Sequence, residues 1–162
     1  MNLLFTGASG FLGYNVLPLL KKKYSVETIG LTSQDDYIVN LAAEIPKLAG
    51  KYDVILHVAG KAHSLPKTEA EKRLFFDVNL QGTKNLCTAL EQSGIPKSFI
   101  FISTVAVYGC DSGENITEEY PLNGTTPYAL SKIKAEKYLE EWCAMHNVKL
   151  SILRPSLIAG PN

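Results

Sequence analysis

Tyr128 and Lys132 lie four residues apart in the segment PYALSK. On an α-helix that spacing puts both side chains on one face. A phenol with its usual pKa near 10 is a poor base at neutral pH, but a neighbouring ammonium favours the phenolate. Lowering the pKa by about three units takes roughly 4 kcal/mol, which two positive charges in a partly desolvated cleft can supply. Tyr128 would then take the proton of a substrate hydroxyl. Ala135, Leu139 and Trp142 continue the same stripe. An apolar stripe faces a sheet, and Lys132 is the one charge embedded in it, which asks for a chemical reason. A third partner comes from FISTVAVYG (residues 101–109), where the hydroxyl of Thr104 or Ser103 would hydrogen-bond the substrate oxygen and share its proton with Tyr128.

A second constellation opens the chain. TGASGFLG (residues 6–13) follows a short apolar strand and precedes a helical pattern. Gly7 permits a tight turn, Gly10 lets a pyrophosphate approach the backbone, and Gly13 lets helix and strand pack closely. Ser9, Phe11 and Leu12 belong to the same loop and first helical turn, whose free N–H groups and partial positive charge suit phosphates. The chemistry this implies is dinucleotide binding, with NAD as the expected cofactor and NADP left open. A nicotinamide ring supplies the second positive charge beside Tyr128.

The adenosine end is less clear. An acidic residue is expected where the second strand ends, but Gly30 stands there. Spacing admits Asp35, while Thr32 and Ser33 offer hydroxyls that could bond a phosphate without charge. Further expected cofactor contacts are Asn40 and Leu41 after the third strand, His57-Val58-Ala59-Gly60 after the fourth, Ile102 and Ser103 at the end of the fifth, and Pro155 after the sixth. Asn79, a further expected cofactor contact, is unfavourable inside a helix by propensity and reads as a buried polar group that bonds strand backbone.

The elements that must hold these residues alternate in type. Strands are expected at 3–6, 26–31, 38–41, 53–58, 98–103 and 149–153. Helices are expected at 11–20, 42–49, 68–93 and 127–145, the third stopped by Gly94-Ile95-Pro96 and the last carrying Pro127 in its first turn. This pattern implies an α/β fold: a three-layer Rossmann domain with a doubly wound parallel sheet of about six strands. One long irregular piece, 109–126, falls beyond the fifth strand, on the side where ligands sit in such sheets.

Composition excludes several classes. Of 162 residues 46% are hydrophobic and 20% charged, and sixteen Lys and Arg balance sixteen Asp and Glu. A chain this apolar does not stay disordered, and its charge attracts neither nucleic acid nor an anionic membrane. Lys21–Lys23 read as the solvated end of a helix. No apolar run is long enough to span a bilayer, and no signal peptide is expected ahead of the glycine loop. Cys87, Cys110 and Cys143 lack a metal-binding spacing, and His57, His63 and His146 form no ligand cluster. A reduced, cytoplasmic protein without a metal is expected.

Taken in order, TGASGFLG, HVAG, DVNLQGT, FISTVAVYG, PYALSK and LRPSLIAGPN resemble the successive motifs of the NAD-dependent epimerase/dehydratase family of extended short-chain dehydrogenases/reductases. The resemblance covers essentially the whole chain. It implies a nucleotide-sugar substrate, catalysis by Tyr128 and Lys132 with Thr104 at the family's Ser/Thr position, and dimerisation through the helices near 68–93 and 127–146. Two positions depart from the family pattern: Gly30 and Asn40 replace acidic residues. Family chains continue into a smaller substrate domain beyond the Gly160-Pro161 turn, so residues 1–162 are expected to be the cofactor-binding part alone. The family's 4,6-dehydratases carry an Asp-Glu pair after the catalytic Thr, where this chain has Val105-Ala106. A 4-epimerase working through a 4-keto sugar is therefore the leading reading. A keto-sugar reductase and a non-catalytic dinucleotide-binding module are the alternatives.

Overall fold

Apolar strands alternating with amphipathic helices fold as the periodicity predicts, into a parallel sheet with helical cover. The computed structural model describes residues 1–62, 65–110 and 112–161. Its elements are β1 (Asn2–Thr6), α1 (Phe11–Lys21), β2 (Ser25–Gly30), β3 (Tyr37–Ile38), β4 (Val54–His57), α2 (Glu69–Phe76), α3 (Gly82–Ser93), β5 (Ser98–Ile102), α4 (Pro127–His146) and β6 (Lys149–Leu153). A π-helical turn, Asp77–Gln81, joins α2 to α3, and a 3₁₀ turn, Val105–Tyr108, follows β5.

The six strands are ordered β3-β2-β1-β4-β5-β6, and every neighbouring pair is parallel. The order reverses between β1 and β4, where Thr6 lies opposite His57. In open α/β sheets ligands bind in the crevice at such a switch point, outside the carboxyl ends of the strands. Below it the core is apolar. Leu4, Ile55, Phe99 and Phe101 of the sheet pack against Leu86 and Leu90 of α3 and Leu139 and Trp142 of α4. Burying each such side chain contributes about 1.5–3 kcal/mol.

Helix ends follow local chemistry. Thr68 and Glu71 form a reciprocal capping box at the start of α2. Thr126 caps Ala129 ahead of Pro127 on α4, and Asn147 ends that helix in the left-handed conformation, φ 56°.

Three expectations are corrected. No helix forms at 42–49. Asn40 instead closes a single turn, its carbonyl accepting from Ala43 and Glu44 and its side chain from Ala42. Pro46 has no N–H to continue a helix and pushes the preceding residue extended. The third strand is Tyr37–Ile38 rather than 38–41, because the same Asn40 turn takes the chain out of the ladder. The long helix at 68–93 is broken by the π turn, an adjustment that often marks a functional site.

Candidate functional site

Backbone geometry at the glycine loop leaves no room for side chains where the chain crosses itself. Gly7 has φ +82°, and a Cβ there would lie 2.7 Å from the Ala59 nitrogen. A Cβ on Gly13 would lie 2.4 Å from the Ala8 carbonyl oxygen. Gly10 differs: its Cβ would meet only the Gly7 oxygen, at 3.4 Å, so its outer side is open. Helix α1 has Gly10 at its N-cap, with neither a side-chain cap nor an acidic residue in its first turn. Its positive dipole end therefore faces the cleft uncompensated, as an anion requires.

That cleft has a volume of about 710 Å³ and runs along the carboxyl ends of the strands. Of the residues expected to hold cofactor, it is lined by Gly7, Ser9, Gly10, Phe11 and Leu12, by Asn40 and Leu41, by His57 to Gly60, by Ile102 and Ser103, by Tyr128 and Lys132, and by Pro155. Thr104 is part of the same wall. Four expected residues do not line it. Gly13 supports the loop from behind, Asn79 lies under Gly60, and Thr32 and Ser33 fall outside. The sequence reading missed Ile29 to Leu31, Val39, Ala42, Lys61, Ala62, Val78 and Ser156 to Ile158 on the wall. These are mostly small or apolar residues just past strand ends, and their one signal is that position. The shape, the open helix terminus and the glycines fit a dinucleotide.

The catalytic candidates meet at one end of the cleft. Lys132 is 4% exposed, its Nζ donates to the Ile102 carbonyl at 2.8 Å, and it lies 4.5 Å from the centre of the Phe101 ring. Burial lowers its pKa to about 8, opposed by the charge of Glu136. Tyr128 is half-buried against Phe75. Burial raises its phenol above the ordinary value, and the Thr104 side chain pulls it back down by hydrogen bonding. The expected acidification by Lys132 is thus not present in the protein's own field, and a further positive charge is needed to produce it.

Thr104 and Ser103 separate cleanly. The buried Ser103 hydroxyl donates to Glu136, which is itself fully buried. Arg154 grips that carboxylate in a forked ion pair, Nη2 to Oε2 at 2.7 Å and Nε to Oε1 at 3.2 Å. The guanidinium also donates to the Tyr108 hydroxyl and the Glu118 carbonyl. Ser103 is therefore committed to structure, and Thr104 is the hydroxyl at Tyr128.

A buried polar chain ties the two constellations together. Val58 and Ala59 N–H groups donate to Thr6 Oγ1, which lies 2.7 Å from His57 Nδ1. On the other side His57 Nε2 lies 2.9 Å from Thr83 Oγ1, whose hydrogen goes to the Asn79 carbonyl. A hydroxyl has one hydrogen, so Thr83 accepts from His57, and the imidazole carries its proton on Nε2. Burial foremost, with the charge of Lys132, lowers the His57 pKa to about 3 and keeps the ring neutral. Asn79, turned inward by the π turn, accepts from Lys61 N–H and donates to the Lys61 carbonyl and to Ser131 Oγ. Ser131 then donates to the Tyr128 carbonyl at 2.7 Å. Asn79 is thus a buried polar group, but the backbone it bonds is that of Lys61 in the loop after β4 and not strand backbone.

Comparison with known proteins decides the family. The NAD dependent epimerase/dehydratase family model matches residues 3–162. The chain belongs to that family. It is 33% identical, over 98% of its length and 49% of the relative's, to the N-acetyl-alpha-D-glucosaminyl-diphospho-ditrans,octacis-undecaprenol 4-epimerase of Escherichia coli O157:H7. It is 28% identical to the GDP-6-deoxy-D-mannose reductase of Pseudomonas aeruginosa, over 98% of this chain and 53% of that one. The solved structure of Thermus thermophilus UDP-glucose 4-epimerase in complex with NAD superposes with a TM-score of 0.78 at 26% identity, covering 95% of this chain and 54% of its own. The chain spans about half the length of the curated relatives it matches. Among the described residues no helix is long and apolar enough to cross a membrane, and no group of three His, Cys, Asp or Glu could hold a metal ion. His63 lies outside the described residues.

Proposed function

We propose that this family member is a nucleotide-sugar 4-epimerase, and that residues 1–162 hold its dinucleotide and its acid-base group. The single observation that carries the reading is the meeting of Tyr128, Lys132 and Thr104 in one cleft with the uncapped N-terminus of α1. A bound nicotinamide dinucleotide supplies the hydride acceptor and, when oxidised, the extra positive charge that Tyr128 lacks. Gly7 to Leu12 would hold its phosphates and Lys132 its nicotinamide ribose.

Tyr128 acts as the base, taking the proton of the sugar 4-hydroxyl, and as the acid that returns it after the 4-keto sugar has turned over. Thr104 hydrogen-bonds the same oxygen and fixes its direction toward Tyr128. Lys132, anchored to the Ile102 carbonyl on the same cleft wall, holds the nicotinamide ribose and leaves the positive charge at Tyr128 to the oxidised nicotinamide. Val105 and Ala106 follow Thr104 in a 3₁₀ turn and offer no acid or base for eliminating water, which disfavours dehydration. In the complete protein, catalytic amounts of NAD with a UDP-hexose should give epimer interconversion without net NADH. Tyr128→Phe should lower turnover at least about a hundredfold with dinucleotide affinity retained. Undiminished turnover in that variant would remove Tyr128 from the chemistry.

A reductase reading rests on the same residues and is supported by the 28% identity to a GDP-6-deoxy-D-mannose reductase. Stoichiometric oxidation of NADPH by a 4-keto sugar would establish it in place of epimerisation.

A further inference from the structure

The two hydroxyls of the acid-base site stand on different elements. Tyr128 is in the first turn of α4, and Thr104 lies just past the end of β5. Their separation depends on how those elements are joined. Thr104 is extended, and its backbone neighbours are pinned to the chain end of β6. Ser103 N–H donates to the Leu153 carbonyl at 2.7 Å, and Val105 N–H to the Pro155 carbonyl at 3.2 Å. Arg154 lies between those two acceptors. The Thr104 hydroxyl itself accepts from Ala106 N–H at 3.2 Å, which leaves its one hydrogen for Tyr128 or a substrate oxygen.

The Arg154 guanidinium braces both elements. Its Nε and Nη2 fork onto Glu136, which follows Tyr128 and Lys132 on one face of α4, about two turns beyond the tyrosine. The same carboxylate accepts from the hydroxyl of Ser103, the residue before Thr104. The remaining nitrogen, Nη1, donates to the Tyr108 hydroxyl at 3.1 Å, where the 3₁₀ turn capped by Thr104 ends, and to the Glu118 carbonyl at 2.8 Å. Glu136 is fully buried and the Arg154 side chain is 13% exposed. A buried ion pair adds little stability over apolar residues of the same volume. Its forked bonds do fix a geometry, because a planar guanidinium meets a carboxylate in one orientation. One side chain therefore holds α4, and with it Tyr128, against the stretch 103–108 that carries Thr104.

We propose that Arg154 and Glu136 are positioning residues that set the placement of Thr104 relative to Tyr128. The inference rests on the reading of those two hydroxyls as the acid-base site. The test uses the complete protein and compares the wild type, Thr104→Ala, the paired variant Glu136→Leu with Arg154→Met, and the triple variant. Turnover of a UDP-hexose, NAD affinity by calorimetry and melting temperature are measured for each. The paired variant leaves no buried charge without a partner and should melt close to the wild type. Its kcat should fall at least about tenfold, while KM and NAD affinity change by less than about threefold. The triple variant should be no slower than Thr104→Ala alone, because a misplaced hydroxyl and a missing one cost the same step. Arg154→Lys keeps the charge beside Glu136 but not the fork, and gives a second route to the same loss and the same lack of additivity. An unchanged kcat in the paired variant and in Arg154→Lys, or losses that multiply with that of Thr104→Ala, would overturn the assignment. No turnover of a UDP-hexose by the wild type, or turnover undiminished by Tyr128→Phe, would overturn the underlying reading instead, and this inference with it.

Discussion

Lys132→Met separates what the site does from what the fold needs. The ammonium is buried, and its pKa falls from an ordinary 10.5 to about 8. At 1.36 kcal/mol per pH unit, holding it charged in the native state at pH 7 costs about 3 kcal/mol. Methionine removes that penalty. It also gives up the hydrogen bond to the Ile102 carbonyl and the contact over Phe101, together worth about 1.5 kcal/mol. The variant should therefore be more stable than the wild type by about 1.5 kcal/mol at pH 7, a rise in Tm of about 3–6 °C for a domain of this size. The sign follows from linkage. The native pKa lies below the unfolded one, so between pH 8 and 10.5 the unfolded state binds more protons and wild-type stability rises with pH. At pH 9.5 this recovers about 2 kcal/mol for the wild type, and the lead of Lys132→Met should vanish. Urea unfolding of both proteins at pH 7 and pH 9.5 reads the effect directly. A variant less stable than the wild type at pH 7, or a lead that does not change with pH, would refute the assignment of a strained, buried ammonium.

The other expectations concern the framework. Gly13→Ala drives a Cβ into the carbonyl oxygens of Ala8 and Gly7 and should destabilise by at least about 2 kcal/mol; Gly10→Ala, with open space outside it, should leave thermal stability within about 0.5 kcal/mol and weaken dinucleotide binding in calorimetry. His57 holds its native pKa near 3 against an ordinary 6.5, so the unfolded state gains the proton first as pH falls; this group alone should remove about 2 kcal/mol of stability between pH 7 and pH 5, and His57→Gln should lose that slope in urea titrations. Glu136→Leu strands the Arg154 guanidinium and should cost about 3–5 kcal/mol, whereas Glu136→Leu combined with Arg154→Met should recover most of it in the same assay.

Most of the framework was legible because its periodicity is local. The β6 span matches the strand expected at 149–153, α1 follows from the helical pattern after the glycine loop, and α4 from its first-turn proline and its stripe. Departures occur where a single side chain overrides the pattern. Asn40 and Pro46 replace a helix and part of a strand with one turn. The π turn at 77–81 is invisible to a 3.6-residue period, since its cause is the set of bonds Asn79 makes to Lys61 and Ser131, far away in sequence. Thr104 and Ser103 could not be told apart by position. Only Glu136, thirty-three residues beyond Ser103, assigns the latter to structure. Likewise spacing alone admits Asp35 at the adenosine end, but its carboxylate is buried, bonded to Thr32 within its own turn, and does not line the cleft.

The buried polar groups are distributed unevenly, and that distribution has a functional meaning. Among the described residues, Thr6, His57, Ser103, Asn79, Thr83, Ser131, Lys132 and Glu136 are buried at or above the carboxyl ends of β1, β4 and β5, while Thr28, Asp35 and Asn85 are buried on the β2 side. The layer beneath, from Leu4 and Ile55 to Phe99 and Leu139, is apolar. Apolar residues of similar volume in the upper layer would stabilise the fold at least as well, because a polar network at best offsets its own desolvation. What the polar layer adds is direction. Each donor there has a defined acceptor, from the Ala59 N–H through Thr6, His57 and Thr83 to Asn79, and from Asn79 through Ser131 to the Tyr128 carbonyl. Reversing any one member leaves two donors or two acceptors facing each other. The glycine loop and the Tyr128 turn are therefore held in one relative placement by hydrogen-bond polarity, which packing of interchangeable methyl groups could not enforce.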